Sequence, residues 1–138
     1  MVINIFKISA FIYYEDTDST GNVYHAAYLK FAERGRTEML KEILNKKIAD
    51  FIHGNSFFVV SKLKVIYKKP LKLFDKIEVC TRFVRIRNVT LDLNQDLIKN
   101  NEIYSSISVK LAHVNKKSGK PVKIQSDLLT SLNKIKIV

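Results

Sequence analysis

The stretch YYEDTDSTGNVYHAAY, residues 13–28, is where the periodicity of the chain changes, and where three acids, a glycine and a histidine gather in a lysine-rich sequence. Before it, Phe6, Ile8, Ala10, Ile12 and Tyr14 alternate with Lys7 and Ser9, the period-two pattern of a half-buried strand that ends at Tyr14. After it, Tyr24, Tyr28, Phe31, Gly35, Met39 and Ile43 recur at steps of three or four. That spacing predicts one face of a helix over about 23–44, with Asn22 as its N-cap. Gly35 costs such a helix about 1 kcal/mol relative to alanine. Its place on the apolar stripe predicts a close approach of the helix to a sheet.

Four more alternating stretches follow, at 57–69, 76–86, 88–98 and 102–114, separated by short polar turns. In the first of them Phe57, Val59, Leu63, Val65 and Tyr67 are expected on one face, with Lys62, Lys64 and Lys68 on the other. Short connections imply antiparallel neighbours. SDLLTSL, residues 126–132, reads as a brief terminal helix capped by Ser126. The expected fold class is therefore α+β, one long helix covered by a five-stranded antiparallel sheet. Hotdog and cystatin-like folds both share this order, and periodicity does not separate them.

A length of 138 residues suits one domain, 1–138, and 46% apolar residues suffice for a packed core. The single cysteine, Cys80, excludes an internal disulfide and falls inside an expected strand, where a packed thiol is the ordinary outcome. Lys7 interrupts the N-terminal apolar run, and acids rather than a small-residue cleavage site follow it, unlike a signal peptide. No segment reaches membrane-spanning length, and the expected location is cytoplasmic. The net charge of +11 suggests an anionic partner: nucleic acid, membrane surface or a phosphate-bearing small molecule. Only five basic residues are arginine, and no nucleic-acid-binding module or aromatic platform accompanies them. Acids concentrate at 13–40, whereas residues 62–87 hold nine basic residues against Asp75 and Glu78.

On this scaffold Asp18 falls in the strand-to-helix loop, Gly21 permits a tight turn, and His25 lies in the first helical turn. Amides there have no partner within the helix, and the helix dipole adds positive potential. A carboxylate beside an oxyanion site is a minimal apparatus for acyl transfer. A thioester suits so small an apparatus, because its thiol, with pKa about 8.5, leaves readily as thiolate. There is no serine nucleophile elbow, and His25, His53 and His113 are too scattered to call a zinc site. Residues alone leave a second reading open, an acidic solvated turn with no chemistry.

The segment EDTDSTGNVYHAAYLKFAERGRTEML, residues 15–40, resembles the signature of the 4-hydroxybenzoyl-CoA thioesterase family, in particular its YbgC type. The likeness continues through FFVVSKLKVIYKKPLKLFDKIEV, residues 57–79, and its core is Asp-x-Asp-x-x-Gly-x-Val-Tyr-His-x-x-Tyr. The resemblance implies a hotdog fold, homo-oligomers (dimer or tetramer), and hydrolysis of acyl-CoA without metal or cofactor. It implies Asp18 as the catalytic carboxylate, general base or nucleophile, the His25 amide as oxyanion donor, and Tyr14 as an aromatic group of the site. Tyr24, Arg87 and Asn88 of VRIRN, and Lys116 and Lys117 of NKKSGKP are the expected substrate contacts, the basic ones meeting CoA phosphates. Ala27 and Asn22 depart from the family pattern, which often has asparagine and an aliphatic residue there. Two alternatives share these features: an acyl-carrier-protein thioesterase and a non-catalytic acyl-CoA binding module. Glu15 and Asp16 are expected as solvated turn residues, Asp16 bracing the loop at most. Glu33, Arg34, Arg36 and Glu38 are expected in surface or interface ion pairs. His53 reads as a helix terminus and His113 as an ordinary strand residue.

Overall fold

The alternating stretches all become strands of one sheet. The computed structural model describes residues 5–135 and 137. Its elements run β1 (Phe6–Phe11), α1 (Ala27–Leu44), α2 (Ile48–Ile52), β2 (Ser56–Tyr67), β3 (Lys76–Ile86), β4 (Thr90–Lys99), β5 (Glu102–Asn115) and α3 (Ser126–Asn133). The sheet is antiparallel throughout, in the order β1-β3-β4-β5-β2, so β1 and β2 are its edges. Helix α1 lies across one face. Phe31, Ala32 and Met39 from the helix and Val79, Phe83, Leu93, Leu97 and Ile107 from the strands form the core between them.

Gly35 explains how close the helix comes. A Cβ there would meet Val79 Cγ1 at 2.8 Å and Gln95 Nε2 and Thr81 Oγ1 at 3.1 Å. The contact includes a buried polar group that is fully satisfied. Gln95 Nε2 donates to the Ala32 carbonyl and to Thr81 Oγ1, each at 2.8 Å, and Gln95 Oε1 accepts from Arg36 Nη1 at 2.8 Å. Arg36 also pairs with Glu33. Burial pushes the Arg36 guanidinium pKa down, and Glu33 opposes that shift. The Arg36–Glu33 pair is thus half sunk in the core, whereas Glu38 pairs at the surface with Lys41, a partner outside the expected set.

Several expectations are corrected by the fold. Strand β1 ends at Phe11, and Tyr14 lies in the short 3-10 turn Tyr14–Asp16. Helix α1 begins at Ala27 rather than near residue 23, because 16–18 and 22–24 hold each other in extended conformation. Asn22 is therefore no cap and bridges Lys72 instead. A bulge at Ser61, between the Val60↔Leu111 and Lys62↔Lys110 pairs, puts Phe57 and Val59 out of phase with Leu63, Val65 and Tyr67. Ser126 is the first residue of α3 rather than its cap, which is Gln125. His113 is wholly buried on β5, its Nδ1 2.9 Å from the Val122 carbonyl. His53 does close a helix, α2, and Cys80 is a buried free thiol whose pKa is raised by desolvation.

Candidate active site

Residues 16–18 run antiparallel to 22–24 in a small ladder of their own. Asp18 N–H donates to the Asn22 carbonyl at 2.9 Å, Thr17 bridges Val23, and Tyr24 N–H donates to the Asp16 carbonyl at 2.9 Å. The turn between them closes with Gly21 N–H on the Asp18 carbonyl at 3.1 Å, and Gly21 adopts φ +81°, a conformation glycine enters without steric cost. Asp16 anchors the open end of the ladder and is only 2% exposed, against the expectation of a solvated residue. Its Oδ2 accepts the Tyr13 N–H at 2.9 Å, and its Oδ1 faces Lys30 Nζ of α1 at 3.7 Å. A carboxylate buried this far stays only where donors and a countercharge hold it.

Asp18 itself is exposed. Its Oδ1 accepts from the Thr20 N–H at 2.8 Å and from Thr20 Oγ1 at 2.5 Å. These bonds favour the charged form, and together with the positive influence of His25 they hold the Asp18 carboxyl below the usual carboxylate range. Oδ2 has no hydrogen-bond partner among the described residues.

His25 and Ala26 form the turn that leads into α1. Its carbonyl neighbours are fastened: the Tyr24 carbonyl accepts Ala27 N–H at 2.8 Å, and the His25 carbonyl accepts the Tyr67 hydroxyl at 2.6 Å. The His25 N–H has no acceptor among the described residues, at the positive end of an 18-residue helix. Asp18, Asn22, His25, Tyr28, Tyr67 and Lys68 are among the residues that line one open cleft of about 360 Å³.

Asp18 and His25 thus line one cleft with Tyr24 beside them, and the other expected site residues lie elsewhere. Tyr14 is 74% exposed and packs edge-on against Phe74, outside the cleft lining. Tyr24 stacks tilted on the His25 ring at 4.5 Å. Arg87 and Asn88, in the β3–β4 turn, and Lys116 and Lys117, after β5, sit at the end of the sheet opposite Asp18, whose cleft adjoins the end of β2. That separation is roughly 35 Å at about 3.3 Å per strand residue. The sequence reading missed Tyr67, Tyr28, Lys68 and the buried role of Asp16. Tyr67 carries the alternation of a strand, and nothing local signals that its hydroxyl reaches residue 25.

A second cavity, about 460 Å³ and mostly apolar, opens between the C-terminal half of α1 and the start of β2, with Met39, Ile43, Phe51, Phe58, Leu111 and Leu132 in its wall. Among the described residues no group of three or more His, Cys, Asp or Glu is arranged to hold a metal ion, and no helix is long and apolar enough to cross a membrane.

The profile of the thioesterase-like superfamily matches residues 13–132 of this chain. The acyl-CoA thioesterase YbgC of Haemophilus influenzae is 34% identical over 136 residues, covering 99% of this chain and all of the relative. A probable thioesterase of Bartonella henselae superposes with TM-score 0.79 at 30% identity, over 88% of this chain and 99% of that one. The DHNA-CoA thioesterase of Staphylococcus aureus superposes with TM-score 0.86 at 21% identity, over 94% and 89%, a likeness of fold. Between the two folds that periodicity leaves open, these neighbours decide for the hotdog. With Asp18 and His25 lining one cleft inside the matched region, the chain belongs to the thioesterase-like superfamily and is a hotdog-fold thioesterase.

Proposed function

We propose that this chain hydrolyses acyl-CoA to a carboxylic acid and free CoA, with Asp18 as the catalytic carboxylate and the His25 N–H as oxyanion donor. The observation that carries the reading is the pairing, in one cleft, of a carboxylate with a free oxygen and an N–H with no acceptor. Asp18 either takes the proton of an attacking water or attacks the thioester carbonyl itself, giving an anhydride that water then opens. In both cases the carbonyl oxygen gains negative charge against the His25 N–H, and the thiolate leaves without needing a strong acid. The YbgC relative named above is an acyl-CoA thioesterase, which supports the same substrate class.

The working unit in this reading is an oligomer built on the β2 edge. That edge is unpaired among the described residues and carries Phe57, Val60, Leu63, Ile66 and Tyr67, each more than a third exposed. Exposed edges of this kind seek another strand. Antiparallel pairing with a second copy sets the Tyr67 end of one β2 beside the Phe57 end of the other. One copy's Asp18 cleft then adjoins its partner's apolar cavity, whose 460 Å³ suits an acyl group. The same operation carries the turns holding Arg87, Asn88, Lys116 and Lys117 toward that cleft, so these residues serve CoA phosphates across the subunit boundary.

The decisive experiment is release of free thiol from a panel of acyl-CoAs, short, long and aromatic, by the wild type and by Asp18→Asn. The substitution keeps size and most hydrogen bonds but removes charge and basicity. Turnover is expected to fall about 100-fold or more with KM little changed. Near-full hydrolysis by Asp18→Asn returns the loop to a solvated turn. His25→Ala keeps the backbone donor and is expected to lose less. Running the same acyl group on an acyl carrier protein in competition distinguishes the two carriers.

A further inference from the structure

The three backbone groups that flank the His25 N–H are each held by a different part of the molecule. Tyr24 N–H is bound by the Asp16 carbonyl of the loop, the Tyr24 carbonyl by Ala27 N–H of the helix, and the His25 carbonyl by the Tyr67 hydroxyl of the sheet. Of these, only the last is a side-chain bond reaching across 42 residues of sequence. At 2.6 Å it is short for an O–H···O bond. The phenol that makes it is itself braced: the Tyr67 ring packs edge-on against Tyr28 at 4.9 Å, and the Tyr28 hydroxyl is fixed by Leu71 N–H at 3.0 Å.

We propose that Tyr67 is a positioning residue for thioester hydrolysis, holding the His25 carbonyl so that the His25 N–H stays aimed at the developing oxyanion. The proposal rests on the reading of Asp18 and His25 given above. The turn at 25–26 precedes the helical hydrogen-bond ladder and is exposed. The His25 N–H shares its planar peptide with the Tyr24 carbonyl, which Ala27 N–H holds, and the Tyr67 hydroxyl holds the carbonyl of the next plane, so the two bonds together restrain the backbone torsions on either side of the His25 Cα. The hydroxyl contributes little to folding, since Tyr67 is 46% exposed and water can replace a hydrogen bond at that site. What it supplies is alignment before the reaction begins, which is where oxyanion donors gain their advantage.

Tyr67→Phe removes the hydroxyl and leaves the ring on Tyr28. Losing an oxyanion donor outright costs about 100- to 1000-fold, so loosening its aim is expected to lower kcat about tenfold, with KM within about twofold. Two CoA ligands supply the readout that stability alone does not move. One is a methylene-ketone acyl-CoA analogue that mimics the bound thioester. The other is a trifluoromethyl ketone analogue that adds water and, on giving up one proton to a base, becomes a tetrahedral anion. Affinity for the second is expected to fall by the same factor as kcat/KM, while affinity for the first and the melting temperature stay unchanged. Unchanged kcat and unchanged trifluoromethyl ketone affinity in Tyr67→Phe, alongside an Asp18→Asn that has lost hydrolysis, overturn the proposal and leave the underlying reading intact. Equal weakening of both analogues with a rise in KM also overturns it, making Tyr67 a contact for bound substrate. Retained hydrolysis by Asp18→Asn would instead remove the reading on which the proposal stands.

Discussion

At the scale of the residue, Asp18, the acid proposed to do the chemistry, and Asp16 are two positions apart and live in opposite environments. Asp18 is exposed and held ionised by Thr20. Because its pKa lies below the ordinary value of about 3.9, the carboxylate persists as pH falls through the weakly acidic range. The acid limb of kcat/KM is therefore expected below that value. Thr20→Val removes the hydroxyl donor, weakens the preference for the charged form, and moves the limb to higher pH; a pH–rate profile reads the shift directly. Asp16 is buried, and Asp16→Ala leaves the Tyr13 N–H without its acceptor and Lys30 without its partner. Tyr13 is exposed, so water can reach its N–H, and the loss is expected near that of one hydrogen bond, about 0.5–1.5 kcal/mol, read as a lower melting temperature by calorimetry. Asp16→Asn keeps an acceptor for Tyr13 and is expected to lose less.

At the scale of the element, helix α1 is set down on the sheet by the absence of a side chain. Gly35→Ala gains about 1 kcal/mol of helix propensity. Against that, the new methyl meets Val79 Cγ1 at 2.8 Å in the core and crowds Gln95 and Thr81, which are tied to each other and to Ala32. Overpacking of this kind costs about 1–3 kcal/mol, so the net effect is a loss of stability, visible as a lower urea midpoint at unchanged slope. A helix pushed outward also shifts the turn at 25–26, so the variant should be slower as well as weaker. An urea midpoint at or above that of the wild type would show that Val79 yields without strain.

At the scale of the whole molecule, the charge and the open β2 edge make separate predictions. Light scattering at micromolar concentration should give the mass of a dimer or tetramer, and a monomeric mass would sink the edge-pairing proposal. The charge prediction concerns substrate rather than assembly. If the basic turns meet the phosphates of CoA, raising ionic strength should weaken apparent binding, because screening acts over about 8 Å at physiological salt. Turnover should change less. The same acyl group on a short uncharged pantetheine-like thiol should show little salt dependence, and equal sensitivity of the two substrates would remove the electrostatic role of those lysines and arginines.

Strand positions were legible in the chain itself, because alternation of apolar and polar side chains follows directly from a pleated backbone with one face buried. Expected strands at 76–86 and 102–114 fall on β3 (Lys76–Ile86) and β5 (Glu102–Asn115). Gly35 on an apolar stripe likewise announced the close helix–sheet contact, since no other local reason favours glycine there. The motif around Asp18 and His25 was legible as a strand-to-helix loop carrying a carboxylate. Tertiary structure alone decided the rest. The start of α1 depends on 16–18 pairing with 22–24, a competition between helix and ladder that local propensity does not resolve. The Ser61 bulge depends on register against β5, which is set by a partner far away in sequence. Burial of Asp16 and the reach of the Tyr67 hydroxyl to residue 25 are likewise contacts between distant segments. Periodicity records which face of an element meets the core; it carries no record of which side chain crosses to another element.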